Sequence, residues 1–543
     1  MAKILIEKLM GGFASDYQYN NTFAVEARSD QYTNSNGVSL LRNGRMGEMA
    51  PAELFTTNYG DGSTNINSYP RSMTPDVTTS GKTYTITGGL SGTAPRLVEF
   101  ESAVNANSPI SLASTASHGG HNFTTMPSTS FWGEDTAIYS YQQAGTPVRA
   151  LFYSWQDNTD GDIGRLTINS TLGSIGTADD DYISTTATGC STSGVVTGVP
   201  HKFAEVADLI LYMTNGQYIC SIDGTGSGVP TVNYQALNIG AGWTAVSIRS
   251  YKNYIAVACV KSSTNGVFNY ESINKVLLWD GYSPDPNFVY EIQDSRIGAI
   301  FVAEGNLYAW TAGKNNTTKL WIFDGSSFKK VTEALTSVIG NPPSHEKIDY
   351  YRGGLVWASG SLNNTPDKQV IYYGQLNSRS KGIHIIAQNS NGTNTSGISV
   401  LKNLQQSSLT VAGLYDTTYA FQDSASGSYL ISSKLRTRLF VLPHRSMIKK
   451  FTVYFSQFGT GASVTLSLFK GKVSDTTGGA DDLLNKTLTA SSLGTGITSF
   501  SWDTFIDDID TFFMTVTFDH ASVTNTAAII SKIEIEVEPT NAY

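Results

Sequence analysis

Histidine, cysteine and clustered carboxylates are the residues best able to hold a metal or carry proton and nucleophile chemistry, and here their spacing favours neither. Of seven histidines, His118 and His121 form the one close pair, in a His-Gly-Gly-His stretch. A metal site needs a third ligand from elsewhere in the chain, and a solvated loop accounts for the pair without one. Asp157, Asp160 and Asp162 in QDNTDGDIG alternate around a glycine turn in the manner of calcium ligands. The closing glutamate of a calcium loop is absent, so a polar hairpin turn is the expectation. Asp179, Asp180 and Asp181 read as a charged surface turn. Glycosidase propellers place carboxylate pairs at the inner ends of their blades. Glu99, Glu101, Asp294 and Asp349 could be arranged that way, but nothing in their surroundings selects them. There is no glycine-rich phosphate loop opening a helix, no G-x-S-x-G elbow and no H-E-x-x-H. No catalytic residue, metal ligand or cofactor is assigned, and the chain is expected not to be an enzyme.

One charge pattern is less bland. Lys434, Arg436, Arg438, Arg445, Lys449 and Lys450 fall within KLRTRLFVLPHRSMIKK with no acidic residue among them. Opposing them in sign, DTFIDDID carries Asp503, Asp507, Asp508 and Asp510. Strand alternation puts Lys434, Arg436 and Arg438 on one face, with Leu435 and Leu439 on the other. A basic strip of this kind suits phosphate backbone, an acidic patch on a neighbouring copy, or a solvated edge guarded against strand addition.

The elements that must position these residues are strands. The chain has 543 residues, more than one hydrophobic core usually supports. Only 15 % are charged, against ~25 % in an average soluble protein. Gly, Ser, Thr and Asn carry the polar share, and these oppose helix interiors. With 28 Tyr, 24 Phe and 8 Trp among many Val, Ile and Thr, the composition calls for an all-β protein. A net charge of −9 argues against a chain built mainly to grip nucleic acid. The odd cysteine number (Cys190, Cys220, Cys259) makes no disulfide framework, and Cys220 and Cys259 lie in apolar runs that suit buried thiols. MAKILIEKLMGGFASDY is too short in apolar residues for a secretory segment, and no window suits a membrane span or anchor.

Internal repetition organises the middle of the chain. KVLLWDG (275–281) follows NYIAVACV, and KLWIFDG (319–325) follows NLYAWTAG, with Asp280 and Asp324 44 residues apart. GLVWASG before KQVIYYGQ, and DLILYMTNG before QYICSIDG, repeat the unit. Each is an apolar strand, a polar turn, a second apolar strand and a turn at Asp-Gly or its equivalent, where Gly tolerates positive φ. The period suits a four-stranded propeller blade, and roughly five to seven irregular blades fit. TSFWGEDTAIYSYQQ (129–143), VRALFYSWQDNTDGD (148–162) and SLTVAGLYDTTYAFQ (408–422) have the same texture. From about residue 426 the strands lengthen and alternate more regularly, as in a β-sandwich. The reading is an N-terminal arm with opening strands (1–70), a β-propeller (71–425) and a C-terminal β-sandwich (426–543).

This order of parts, a turn-rich GGFASDYQYNN opening, blades carrying KVLLWDG and KLWIFDG, and a sandwich entered through SGSYLISSKLRTRLFVLPHRSMIKKFTVYF, resembles the β-propeller virion proteins of tailed bacteriophages, tail nozzle and tail-tube-end proteins among them. The resemblance implies a structural subunit of the tail or collar. It implies a homo-oligomeric ring of identical copies around or near the DNA channel, assembled in the host cytoplasm and located in the virion beside other tail proteins and packaged DNA. Ring closure needs one patch to meet a different patch on the next copy. The basic run (Lys434, Arg436, Arg438, Arg445, Lys449, Lys450) and the acidic run (Asp503, Asp507, Asp508, Asp510) are the candidates. Two other classes remain open: a carbohydrate- or receptor-binding propeller, with Trp310 and Trp357 stacking on sugars, and a polysaccharide-cleaving enzyme.

Overall fold

In the computed structural model the described residues are 2–7, 12–13, 31–36, 38–42, 45–48, 52–56, 70–76, 82–87, 96–101, 111–112, 121–122, 132–156, 161–168, 175–179, 194–204, 210–226, 230–261, 273–313, 317–335, 342–351, 353–359, 370–374, 383–388, 398–405, 408–414, 417–422, 433–437, 439–470, 482–520 and 528–540. Their structure is all-β: a propeller followed by a C-terminal sandwich.

Seven small antiparallel sheets among the described residues form the blades. Blade 1 holds Pro70–Pro75, Lys82–Thr87 and Arg96–Glu101 with two short flanking strands; blade 2 holds Trp132–Gln143, Thr146–Gln156, Gly161–Ile168 and Ile175–Asp179. In blade 3 residues 201–204 bridge to Met213 ahead of Ile210–Asn215, Tyr218–Asp223 and Thr231–Asn238. Blade 4 holds Trp243–Tyr251, Tyr254–Lys261, Asn274–Trp279 and Phe288–Ile292, and blade 5 Arg296–Ala303, Asn306–Gly313, Thr317–Phe323 and Phe328–Leu335. Blade 6 holds Ile348–Tyr351, Gly354–Ser359, Val370–Gly374 and Ile383–Gln388. Blade 7 takes Val400–Gln405, Ser408–Leu414 and Thr417–Gln422, and its fourth strand is Ala52–Thr56 from the start of the chain. Inner strands of neighbouring blades touch one another, that of blade 7 touching that of blade 1. Residues 201–204 of blade 3 meet blade 2 where the Phe203 amide donates to Asp135, so the ring closes.

The burial of each strand follows from its place in the blade. Second strands are sandwiched between neighbouring blades, so Ile255–Val260 is buried throughout. Outer strands have one wet side, and Thr231–Asn238 alternates accordingly. Separate apolar seams fill the gaps between blades; in the seam of blades 5 and 6, Trp310 and Trp357 are buried with ring centroids 5.8 Å apart. The Asp-Gly turns join third to fourth strands, with φ of +90° at Gly281 and +102° at Gly325. Asp280 accepts from the Tyr282 and Ser283 amides, and Asp324 from those of Ser326 and Ser327. The first-to-second-strand hairpins of blades 2 and 5 turn at Ala144-Gly145 and Glu304-Gly305, each pair with positive φ as a two-residue type I′ turn demands.

Among the described residues the sandwich is one continuous hydrogen-bonded sheet folded over a main core, with a smaller apolar cluster of Leu439, Phe469 and Phe513 beside it. The Ser499–His520 strand pairs with Phe440–Gln457 along its first half and with Ala462–Lys470 along its second, which joins the two layers. The N-terminal strands belong here too. Ala2–Glu7 lies antiparallel to Ile529–Pro539, Gln31–Asn36 pairs with Ser433–Thr437, and Arg45–Glu48 also pairs with Ile529–Pro539. The opening residues therefore join the sandwich first and then complete blade 7.

Candidate functional site

The inner strands of the blades carry a set of polar residues that converge on the propeller axis. A cavity of about 420 Å³ opens there, with Thr74, Asp135, Arg249, Asp349, Lys402 and Asn403 in its wall. They come from the inner strands of five blades: Thr74 from blade 1, Asp135 from blade 2, Arg249 from blade 4, Asp349 from blade 6, and both Lys402 and Asn403 from blade 7. Strand geometry explains the arrangement. Side chains at the narrow axis cannot all be large and apolar, and ring closure brings seven backbones together there, so hydrogen-bonding side chains fill it.

Lys202 is at the centre of the charge balance. Its ammonium pairs with Glu346 and lies 3.5 Å from Glu134 Oε2, all three side chains being buried or nearly so. Burial works against the Glu134 carboxylate, but Lys202, with His201 and Arg71, outweighs it and holds the group below the usual carboxylate range. Gln156 Nε2 donates to the same side chain at 3.1 Å. Asp135 accepts the Phe203 amide at 2.8 Å and the Thr136 amide at 2.9 Å. Its full burial nonetheless pushes its carboxyl up, against the pull of Lys202. Asp349 accepts the Asn403 amide at 2.7 Å and sits 3.8 Å from Lys402 Nζ.

His345 is the buried imidazole of the group. Its Nδ1 lies 2.9 Å from Ser247 Oγ, and Arg249 donates to its carbonyl at 3.1 Å. Burial first, then the charges of Arg249, Lys202 and Lys402, hold it well below the usual histidine range. Burial likewise brings Lys347 down to about 8, with Arg71 adding to the effect. The axis thus presents matched ion pairs and hydrogen bonds around a polar cavity able to hold a small polar molecule. No group of three or more His, Cys, Asp or Glu suited to a metal occurs among the described residues.

Of the carboxylates singled out by residue type, Asp349 lines this cavity. Asp294 instead accepts from Thr311 Oγ1 at 2.6 Å and pairs with Lys319 at 3.2 Å, inside blade 5. Glu99 and Glu101 lie on the third strand of blade 1. Asp162 caps the Ile163 amide in a strand, and Asp179 ends the outer strand of blade 2. His118, Asp157, Asp160, Asp180, Asp181 and Cys190 lie outside the described residues; His121 is in a short blade 1 strand. Cys220 and Cys259 are buried. Trp310 and Trp357, considered for sugar stacking, are closed off in the core.

Arg445, Lys449 and Lys450 lie on the Phe440–Gln457 strand, and Lys434 and Arg436 on Ser433–Thr437; both strands pair with Ser499–His520, which carries the acidic run. Arg445 pairs with Asp508 at 3.0 Å, and Lys450 stands opposite Asp503. Lys449 pairs with Glu538. Asp507 caps the Asp508 amide at 2.8 Å, and Asp510 accepts from Thr511 Oγ1 at 3.2 Å. Arg436 lies with its guanidinium 3.9 Å from the Phe513 ring centroid, while Lys434 is half-buried opposite Thr517. Arg438 lies outside the described residues. Much of the opposite charge is therefore used within one chain.

The axial residues Glu134, Asp135, Lys202, Arg249 and His345 escape sequence reasoning because inner strands show no apolar periodicity. The one signal available is polar residues set just before an apolar second strand.

No family model matches the chain, and no curated protein matches it. Solved structures with a similar course of strands include an exo-β-1,3-galactanase from Phanerochaete chrysosporium, at 11 % identity and TM-score 0.30 over 64 % of this chain and 98 % of that one. The Dos1 propeller aligns at 10 % identity and TM-score 0.37, over 69 % of this chain and 96 % of the other. Raptor from Chaetomium thermophilum aligns at 10 % identity and TM-score 0.42, over 68 % of this chain and 29 % of the other. These likenesses concern the fold alone.

Proposed function

We propose that the chain is a structural subunit of a tailed-phage virion, placed in the tail or collar and assembled as a ring of identical copies near the DNA channel, and that it is not an enzyme. The observation that carries this reading is the path of the N-terminal strands. They are spent on fastening: Ala2–Glu7, Gln31–Asn36 and Arg45–Glu48 enter the sandwich, and Ala52–Thr56 closes the propeller. Such a brace suits a body that must keep its shape under load. The paired charges at the axis agree with a supporting role, since Lys202 and Lys402 engage the carboxylates a hydrolase would need free. A subunit joint also needs an exposed apolar anchor, and Phe505, 67 % exposed between Asp503 and Asp507, supplies one on the sandwich.

Sedimentation velocity over a range of concentrations, with negative-stain micrographs of the same samples, tests the reading. A closed ring of fixed copy number is expected, and Phe505→Asp is expected to shift the population to single subunits. A wild-type chain that stays monomeric at every concentration overturns it.

A further inference from the structure

We infer that the hairpin face between blades 4 and 5 carries a binding site for a neutral saccharide. Among the described residues, seven large apolar side chains are exposed, and four of them, Ile273, Tyr282, Phe288 and Val289, belong to blade 4. Tyr282, Phe288 and Val289 lie at one end of the blade and Ile273 at the other, since Leu278 pairs with Phe288 and Asn274 with Ile292. Three exposed apolar residues at one blade end depart from the single, scattered exposure normal for a surface.

A run of aromatic rings connects this surface to the core. Tyr254 meets Phe288 edge-on at 5.7 Å, Phe288 stacks with Tyr290 at 6.3 Å and an interplanar angle of 20°, and Tyr290 reaches Phe323 at 4.6 Å. Phe323 is buried and touches Phe328 and Tyr251, so the outer rings are braced from beneath. Phe288 is 46 % exposed at the end of the run, and Tyr254 and Tyr290 are half-buried beside it.

Tyr282, 71 % exposed, stands on the turn that leads into the same outer strand. That turn is unusually well fixed for a surface loop. Asp280 accepts from the Tyr282 and Ser283 amides, from Ser283 Oγ at 2.6 Å and from Asn287 Nδ2 at 3.0 Å. Its own amide donates to Asn287 Oδ1 at 2.7 Å, and Trp279 Nε1 donates to the Ser283 carbonyl at 2.7 Å. Pro284 and Pro286 remove further freedom. A turn held this way loses little backbone entropy on binding, and preorganisation is what makes a small contact tight enough to matter.

The chemistry selects the ligand class. Flat aromatic faces take the C–H face of a pyranose, and a few polar groups at the rim orient its hydroxyls. Here the rim has Lys252, Asn253 and Asp285, all exposed. The charge at this rim is mixed and inclines to negative, with Asp280 and Asp285 against Lys252, which lies over the Tyr251 ring, while Lys329 is paired with Asp324. An anionic sugar would meet repulsion, and a neutral one would not. The site is separate from the axis and from the sandwich, so it stands or falls apart from ring assembly.

Native affinity electrophoresis of the full chain tests it, in gels containing laminarin, dextran, hydroxyethylcellulose or galactomannan, with polysialic acid as the anionic control. Retardation by at least one neutral polymer and none by polysialic acid is expected. Tyr282→Ala is expected to weaken binding roughly tenfold and Tyr282→Phe to leave most of it. Phe288→Ala gives an independent second reading, with thermal melting run in parallel to confirm that each variant is folded. Absence of retardation by all four neutral polymers overturns the inference, as does retardation that Tyr282→Ala leaves unchanged. Titration with deca-proline checks the competing peptide-groove reading, and binding of that peptide lost in Tyr282→Ala would likewise overturn it.

Discussion

Lys347 is buried in the polar centre of the propeller, where its neighbour Arg71 adds like charge. Burial lowers it to about 8 from an ordinary 10.5, so its charged form costs stability below pH 8. That cost is relieved as pH rises from 8 towards 10.5, because the unfolded chain then holds the proton that the folded one has released. Lys347→Met should therefore stabilise the protein at pH 7 by about 1–3 kcal/mol, with a flatter response above pH 8, both readable in urea melts. His345 works on the acid side. Its folded value lies well below 6.5, so below that pH the unfolded chain binds more protons and stability falls. The loss is at most about 1.4 kcal/mol per pH unit for one imidazole. His345→Gln, which keeps a partner for Ser247, should lose less between pH 7.5 and 5.5 than the wild type; equal losses would refute the assignment. His201, also buried and lowered, leaves part of the acid response in place. At this scale the sequence spoke clearly only where one residue acts locally. Asp280 and Asp324 could be read as turn-formers because Asp-Gly has its own backbone chemistry. Lys347 and His345 could not be read, because burial at an axis is a property of the closed ring.

Second and third strands were readable for a physical reason. Each is covered on both faces, so NYIAVACV and KVLLW appear as unbroken apolar runs, and the burial of Ile255–Val260 matches. Inner strands such as Trp132–Gln143 mix axis-facing polar residues with seam-facing apolar ones, and outer strands such as Phe288–Ile292 are largely wet. Outer strands do not announce themselves, and the inner Trp132–Gln143 stretch was legible as a strand while its axis-facing residues were not. The fourth strand of blade 7 was beyond reach, since nothing local to Ala52–Thr56 says that its partner is Thr417–Gln422. Closure by that strand makes a specific demand on the backbone. Leu54 stands near the middle of the pairing, opposite Tyr419, and proline there removes an amide and disfavours the ladder. Leu54→Pro should cost roughly 1–3 kcal/mol. It should raise hydrogen exchange first in Val400–Gln405, Ser408–Leu414 and Thr417–Gln422, while blades 3 to 5 stay protected. Unchanged exchange in blade 7 would mean that the closing strand contributes nothing to the ring.

Across the whole molecule the chain enters the sandwich, crosses to blade 7, runs once round the propeller and returns to the sandwich. Ile6 packs in the same core as Ile533 and Ile535, so that core cannot be completed until both ends of the path are in place. Three segments could be told apart by their texture, but texture carries no information on pairing across several hundred residues. Contacts of such long sequence separation make folding slow, because loop closure precedes any gain from the contact. They also couple the two bodies in a graded way that truncation can resolve by calorimetry. Removing residues 1–7 deletes one sandwich strand and should lower the sandwich transition alone. Removing residues 1–56 deletes the remaining N-terminal sandwich strands together with the closing strand, and should lower both transitions. If the longer truncation left the propeller transition where it was, the shared brace would be a passenger, and the reading of this chain as a stiffened subunit would lose its main support.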